Sequence, residues 1–375
     1  MRHNNTYKSL LFASLGLSLL GACTGSGNPA TDASLADASS TSDAHVDAGP
    51  VTRDIDILFV VDNSGSMGQE QASLANNFPN FMQVLNHIEG GLPNVHIGVV
   101  SSNVGAGGFT ITGCGGEGDQ GELQNTAHPA GTPCTAPDGK FISDVVAADG
   151  TTRTKNYTGT LEDTFSCISQ LGTNGCGFEQ HLESMKRALD GSQAQNAGFL
   201  RPDAYLAVIF IADEDDCSAA NTQMYDTSDT ALTGTLGPLS SFRCTEFGIT
   251  CAEGNLTRSA AAYSECRPRV DSFLGDPQRY VDFLKSLKSD PNKILVSGII
   301  GNPEPVRVKL ETNGEPRLDH SCQDPNGVNG AADPGIRLKF VMDQFPGSVT
   351  TSICNNDLSF ALSRIAEQLA GTVGP

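Results

Sequence analysis

The stretch that most constrains the fold is Ile55-Asp56-Ile57-Leu58-Phe59-Val60-Val61, followed by Asp62-Asn63-Ser64-Gly65-Ser66-Met67-Gly68. An apolar run of strand length, rich in β-branched residues and ending abruptly at an acid, predicts a strand buried on both faces in the middle of a parallel sheet. Beyond it, Gly65 and Gly68 let the backbone fold tightly enough for Asp62, Ser64 and Ser66 to converge. Three oxygen donors at alternate positions suit a hard divalent cation. One carboxylate with two neutral hydroxyls leaves such an ion short of negative charge, which favours recognition of an acidic group over hydrolysis.

The same strand signature recurs. Val95 to Val100, Tyr205 to Ala212 and Ile294 to Ile300 read as buried strands, Lys140 to Ala147 as an edge strand, and Ser348 to Ile353 as a last one. Between them, Leu74, Phe78, Phe81, Met82, Leu85 and Ile88 predict a helix from about Gln69 to Ile88, broken or kinked at Pro79. Phe178, Leu182, Met185 and Leu189 mark a second helix, and Asp276-Pro277 starts a third with Tyr280, Phe283, Leu284 and Leu287 on its buried face. Residues 336 to 345 have partial helical character, and Leu358, Leu362, Ile365 and Leu369 form a closing helix. Strands alternating with helices imply an α/β fold, a doubly wound and mostly parallel sheet flanked by helices. This domain is expected over 54–370, with disulfide-tied insertions at about 104–139, 217–267 and 302–333.

Residues 1–22 read as a leader: Arg2 and Lys8, an apolar stretch from Leu10 to Leu20, and small residues before Cys23. The pattern resembles a bacterial lipoprotein signal, which implies acylation of Cys23 as a membrane anchor; Thr24 in place of an Asp favours the outer membrane, on its periplasmic or cell-surface face. The Ala-, Ser-, Thr- and Asp-rich segment 23–53 reads as a flexible spacer. A formal charge of −20 argues against nucleic acid as a partner. The ten cysteines after Cys23 read as up to five disulfides of an exported chain. Proximity alone suggests Cys114 with Cys134 and Cys167 with Cys176.

Ligands of such sheets bind beyond the carboxyl ends of the strands where strand order reverses. Two buried strands end in acids there, Asp62 and Asp213. Asp62-x-Ser64-x-Ser66, with Asp213 after a later strand, resembles the metal-ion-dependent adhesion site of von Willebrand factor type A domains. The resemblance implies a binding protein rather than an enzyme, with Ser64 and Ser66 on the metal, Asp62 and Asp213 contacting it directly or through water, and an acidic group of a protein or glycan partner completing the site. Mg²⁺ is the default, with Ca²⁺ or Mn²⁺ also admissible. The family's threonine is matched imperfectly: Thr173 lies early in its loop, and Glu179 is the other candidate.

Other features carry less. Asp213-Glu214-Asp215-Asp216 reads as a solvated acidic loop or a second cation site. Asp324, Asn326, Asn329 and Asp333 read as an Asx-rich turn in preference to a Ca²⁺ loop. His181 is expected on a helix surface, and no histidine sits in a zincin pattern. Asp54 and Asp56 precede their strand, out of a substrate's reach. The rival functions are a metal-dependent hydrolase with Glu214 as general base, and an envelope protein whose metal stiffens its loops.

Overall fold

The computed structural model describes residues 53–114, 116–126, 134–326 and 330–374. The leader, Cys23 and almost all of the spacer lie outside them, as do His45, His128 and Asn329. Seven strands form the central sheet: β1 (Asp54–Val61), β2 (Asn94–Ser101), β3 (Ile142–Val146), β4 (Arg153–Lys155), β5 (Tyr205–Ala212), β6 (Ile294–Ile300) and β7 (Thr350–Ser352). Their order is β7-β6-β5-β1-β2-β3-β4. The pairs from β7 to β2 are parallel, and β3 and β4 join antiparallel at one edge. The segment expected to be an edge strand is thus second from the edge, because Arg153–Lys155 pairs outside it.

β1 is central because every second side chain finds a hydrophobic layer on each face. Ile55, Ile57, Phe59 and Val61 enter one core, and Leu58 and Val60 enter the other. The first core is roofed by α1 (Gly68–Asn86), α2 (Leu161–Ser169) and α7 (Ser359–Val373). The second is roofed by α3 (His181–Leu189), α5 (Gln278–Ser286) and α6 (Ile336–Met342). In the first, Phe59 meets Phe78, Phe81 and Phe165, with ring centroids 4.8 to 6.0 Å apart. The doubly wound α/β expectation is therefore met.

Local differences have local causes. α1 runs unbroken through Pro79, its apolar face anchored on both sides of the proline by Leu74, Phe78, Phe81 and Met82, all buried. α2 has nine residues, too few for its period to stand out, and is fixed by its cap: Thr160 Oγ1 accepts from the Asp163 N–H at 3.0 Å. Thr160→Ala should cost about 1 kcal/mol in urea denaturation. A loss within error would show that packing of Phe165 and Ile168, not the cap, holds this turn.

The disulfides correct the proximity pairing. Cys114 joins Cys176 and Cys134 joins Cys167, so the 104–139 excursion is stapled to the α2–α3 region instead of closing on itself. Cys217–Cys244, Cys251–Cys266 and Cys322–Cys354 complete five bridges. The insertions build small cores of their own. Phe178, Met224, Tyr225 and Phe247 pack around two of the bridges, and Phe242, Ile249, Val306 and Val308 around a third. α4 (Phe242–Gly248) belongs to this region.

Candidate metal centre

β1 and β5 pair in register through Val61 and Ile211, and the Asp62 N–H continues the ladder to the Ile211 carbonyl at 2.9 Å. Asp62 and Asp213 therefore emerge side by side at the point where the chain winds to β2 on one side and β5 on the other. Both are buried, at 0% and 3% exposure. Asp62 Oδ1 accepts from the Ser64 N–H at 2.7 Å and from the Ser102 hydroxyl at 3.4 Å, while its Oδ2 has no hydrogen-bond partner. Ser64 Oγ lies 3.2 Å from Ser66 Oγ. The Ser66 hydroxyl in turn reaches the Asp213 carboxyl, whose Oδ1 is left without a partner. The two strand ends and the two serines are thus one constellation.

The loop before α3 is fastened onto it. Gln71 Nε2 donates to both the Asp62 and the Gly172 carbonyls at 2.9 Å, and the Gly175 N–H donates to the Asn63 carbonyl at 2.8 Å. A side chain at Gly175 would run into Asn63, so this close approach requires glycine. Thr173 is exposed on the rim, where a Cβ at Gly68 would lie 3.4 Å from its Cγ2. Glu179 is inside: it is 1% exposed, both its carboxyl oxygens lack a partner, and it feels the charges of Glu214, Asp62 and Asp213. Glu179 adjoins the site as a buried acid, while Thr173 stands exposed with its methyl group towards Gly68.

Two expectations are corrected here. His181 is not a surface residue. It is fully buried, with Nε2 3.4 Å from Asp62 Oδ2, because α3 turns its first residue towards the end of β1 and not towards solvent. The acidic run 213–216 is not a solvated loop: Asp213 and Asp216 are buried and Glu214 and Asp215 half-buried. Asp215 receives the N–H groups of Arg337 and Leu338 at the start of α6, at 2.8 and 3.1 Å. Asp216 receives the Leu182 N–H at 3.0 Å and the Arg337 guanidinium at 3.3 Å. Two of the four acids thus seat helix ends, where backbone N–H groups welcome negative charge. The Asp324 turn is an Asx turn, with the Asn326 N–H on Asp324 Oδ1 at 2.8 Å; Asp333 pairs instead with His320.

Sequence reasoning did not flag Glu70, 2% exposed at the start of α1, with Oε1 on the Gly330 N–H at 2.8 Å and Oε2 without a partner. Its place in the first turn of the helix after the Asp62 loop was the available signal. Burial pushes Asp213, Glu179 and Glu214 well above the usual carboxylate range, and their mutual charges push further. Glu70 is raised by burial and by Asp62. Among the described residues no lysine or arginine pairs with Asp62, Glu70, Glu179, Asp213 or Glu214. No three His, Cys, Asp or Glu side chains among those residues gather at metal-ligand spacing, so the donor set that does converge is one of carboxylates mixed with serine hydroxyls.

No family model matches the chain, and no curated protein does. Among solved structures, similarity is found to a von Willebrand factor type A protein from Catenulispora acidiphila, at 11% identity and a TM-score of 0.34, covering 86% of this chain and 43% of that one. The conserved hypothetical protein BatB from Bacteroides thetaiotaomicron gives 10% and 0.32, covering 86% and 100%. The chain resembles von Willebrand factor type A domains. The pilus adhesin SpaC from Lactobacillus rhamnosus GG gives 13% and 0.35, covering 86% of this chain and 30% of the adhesin. This chain therefore spans less than half the length of the first and third of these proteins.

Proposed function

We propose that this is a von Willebrand A-like recognition domain that holds a divalent cation at the Asp62 edge and binds an acidic group of a protein or glycan partner there. The observation that carries the reading is the set of buried carboxyl oxygens on Asp62 and Asp213 that lack hydrogen-bond partners, beside two serine hydroxyls and, among the described residues, with no lysine or arginine to balance them and only the His181 imidazole 3.4 Å from Asp62. Unpaired buried charge is costly, and a hard cation with oxygen preference relieves it. Asp62, Ser64, Ser66 and Asp213 would hold the ion, with Thr173 at the rim; Mg²⁺ is the default and Ca²⁺ or Mn²⁺ fit the same donors. The bound ion would present positive charge to an incoming carboxylate. Glu179 stands close enough to Asp62 and Asp213 to temper that attraction.

A lipid on Cys23 would hold the domain at an outer membrane, on its periplasmic or cell-surface side. No helix among the described residues is long and apolar enough to cross a bilayer. Hydrolysis is the less supported use of the edge. Glu214, the base it needs, faces the buried carboxyl of Glu179 and the half-buried one of Asp333.

Titration calorimetry with Mg²⁺ and with Ca²⁺ tests the reading on the full chain. One saturable site is expected, weakened at least tenfold in both Ser64→Ala and Asp213→Ala, since each variant removes an oxygen of the same ion. Unchanged binding in Ser64→Ala would sink the proposal.

A further inference from the structure

Beside the cation edge, a cavity of about 230 Å³ opens between the loop after β5, the first turn of α4 and the hairpin formed by Val306–Leu310 and Pro316–Leu318. It is smaller than the roughly 300–1,000 Å³ clefts that take drug-sized ligands, and suits one long side chain. Its lining is acidic. Arg317 is already matched by Glu311 at 2.8 Å, and His320 by Asp333 at 2.9 Å. Glu214 and Glu315 line the same space with no lysine or arginine partner. Ser240 Oγ, also in the lining, is buried without a hydrogen-bond partner.

A second observation points to a cationic occupant. Glu214 is backed on the protein side by Glu179, which is 1% exposed and lies within hydrogen-bonding reach of it. Among the described residues the interior offers Glu214 carboxyls and no lysine or arginine, and the cavity is the side from which a counter-charge can come. The walls come from disulfide-tied segments: Cys244, in the lining, is bridged to Cys217 just after the acidic run. Such a pocket is held open before any partner arrives, which lowers the cost of binding.

We propose that this cavity receives an arginine side chain of a partner protein, the guanidinium lying between Glu214 and Glu315 with Ser240 accepting one N–H. Guanidinium fits better than ammonium because its planar fork offers five donors in fixed directions to two carboxylates and a hydroxyl on different walls. The site goes beyond the cation reading, since it uses different residues and a ligand of opposite charge.

The test is titration of the full chain with N-acetyl-arginine amide, followed by nuclear magnetic resonance, once in saturating Mg²⁺ and once in chelator. Saturable binding is expected in both, weakened at least fivefold in Glu315→Gln and further in Glu214→Gln, with N-acetyl-citrulline amide inert. Glu315 is on an exposed hairpin, so its variant tests the site without disturbing the core. Binding equal in Glu315→Gln and wild type, or no binding, would overturn the assignment. Binding abolished by Mg²⁺ would put the guanidinium on the Asp62 carboxylates and overturn it too, whatever the fate of the cation reading. Tight binding of free arginine without binding of the blocked form would make the ligand an amino acid and not a partner's side chain.

Discussion

In chelator, this protein is expected to unfold at a higher temperature at pH 5 than at pH 8, the reverse of what a surface of ordinary salt bridges gives. Asp213, Glu179, Glu214 and Glu70 are all pushed upward, chiefly by burial, and Asp215 is pushed up to about 6 by the same cause. A carboxyl whose folded pKa lies above its unfolded one binds more protons folded than unfolded. Stability from it is complete below the unfolded value and is lost as pH rises through the folded one. For Asp215 alone the loss is on the order of 3 kcal/mol between about pH 4 and 7, and the site acids add to it in the same direction. His96, lowered by burial, works the other way as pH passes its unfolded value, but it is one group against five.

Mg²⁺ should flatten this profile. An ion that binds only the folded state adds RT ln(1 + [L]/Kd), about 2.7 kcal/mol at a hundredfold excess over Kd. The gain should be larger at pH 8, where the ion no longer competes with protons for the same oxygens. Thermal unfolding at several pH values with and without Mg²⁺ reads both effects. A midpoint that climbs steadily from pH 5 to pH 8 in chelator would mean that these acids are not a strained cluster.

The parts of this arrangement legible from sequence are those made of consecutive residues. β1, β2, β5 and β6 are mostly apolar runs because both their faces are buried, and Asp62 and Asp213 stand out because each ends such a run. Contacts between distant segments left no such trace. The pairing of Cys114 with Cys176 depends on how the 104–139 excursion crosses α3's loop, and spacing is silent about that. His181 looks polar on any helical projection, yet its helix is set end-on to the acidic edge, so its first residue is buried beside Asp62. Asp215 and Asp216 read as a solvated run because the helix ends they seat, at Arg337 and Leu182, are far away in the chain.

The opposite end of β1 supplies the second large effect, and a control for the first. Asp56 is fully buried and accepts from the Arg201 N–H and Nε at 2.7 Å, with Lys288 Nζ at 3.8 Å and His96 Nδ1 at 3.7 Å. Lys288 is itself 4% exposed. Asp56→Ala would leave the buried Lys288 with no ion-pair partner and Arg201 with only the part-exposed Asp54 at 3.5 Å, at a cost of about 3–5 kcal/mol. Because Asp56 is six residues from Asp62 along an extended strand, roughly 20 Å away, Mg²⁺ affinity should not change. Asp62→Ala should do the reverse: little or no loss of stability in chelator, because one of several crowded carboxyls is gone, but loss of most of the stabilisation by Mg²⁺. Urea denaturation of both variants, with and without the ion, separates the roles. If Asp56→Ala proved harmless while Asp62→Ala unfolded the metal-free protein, the carboxyl end of β1 would be the structural anchor and the amino end would not.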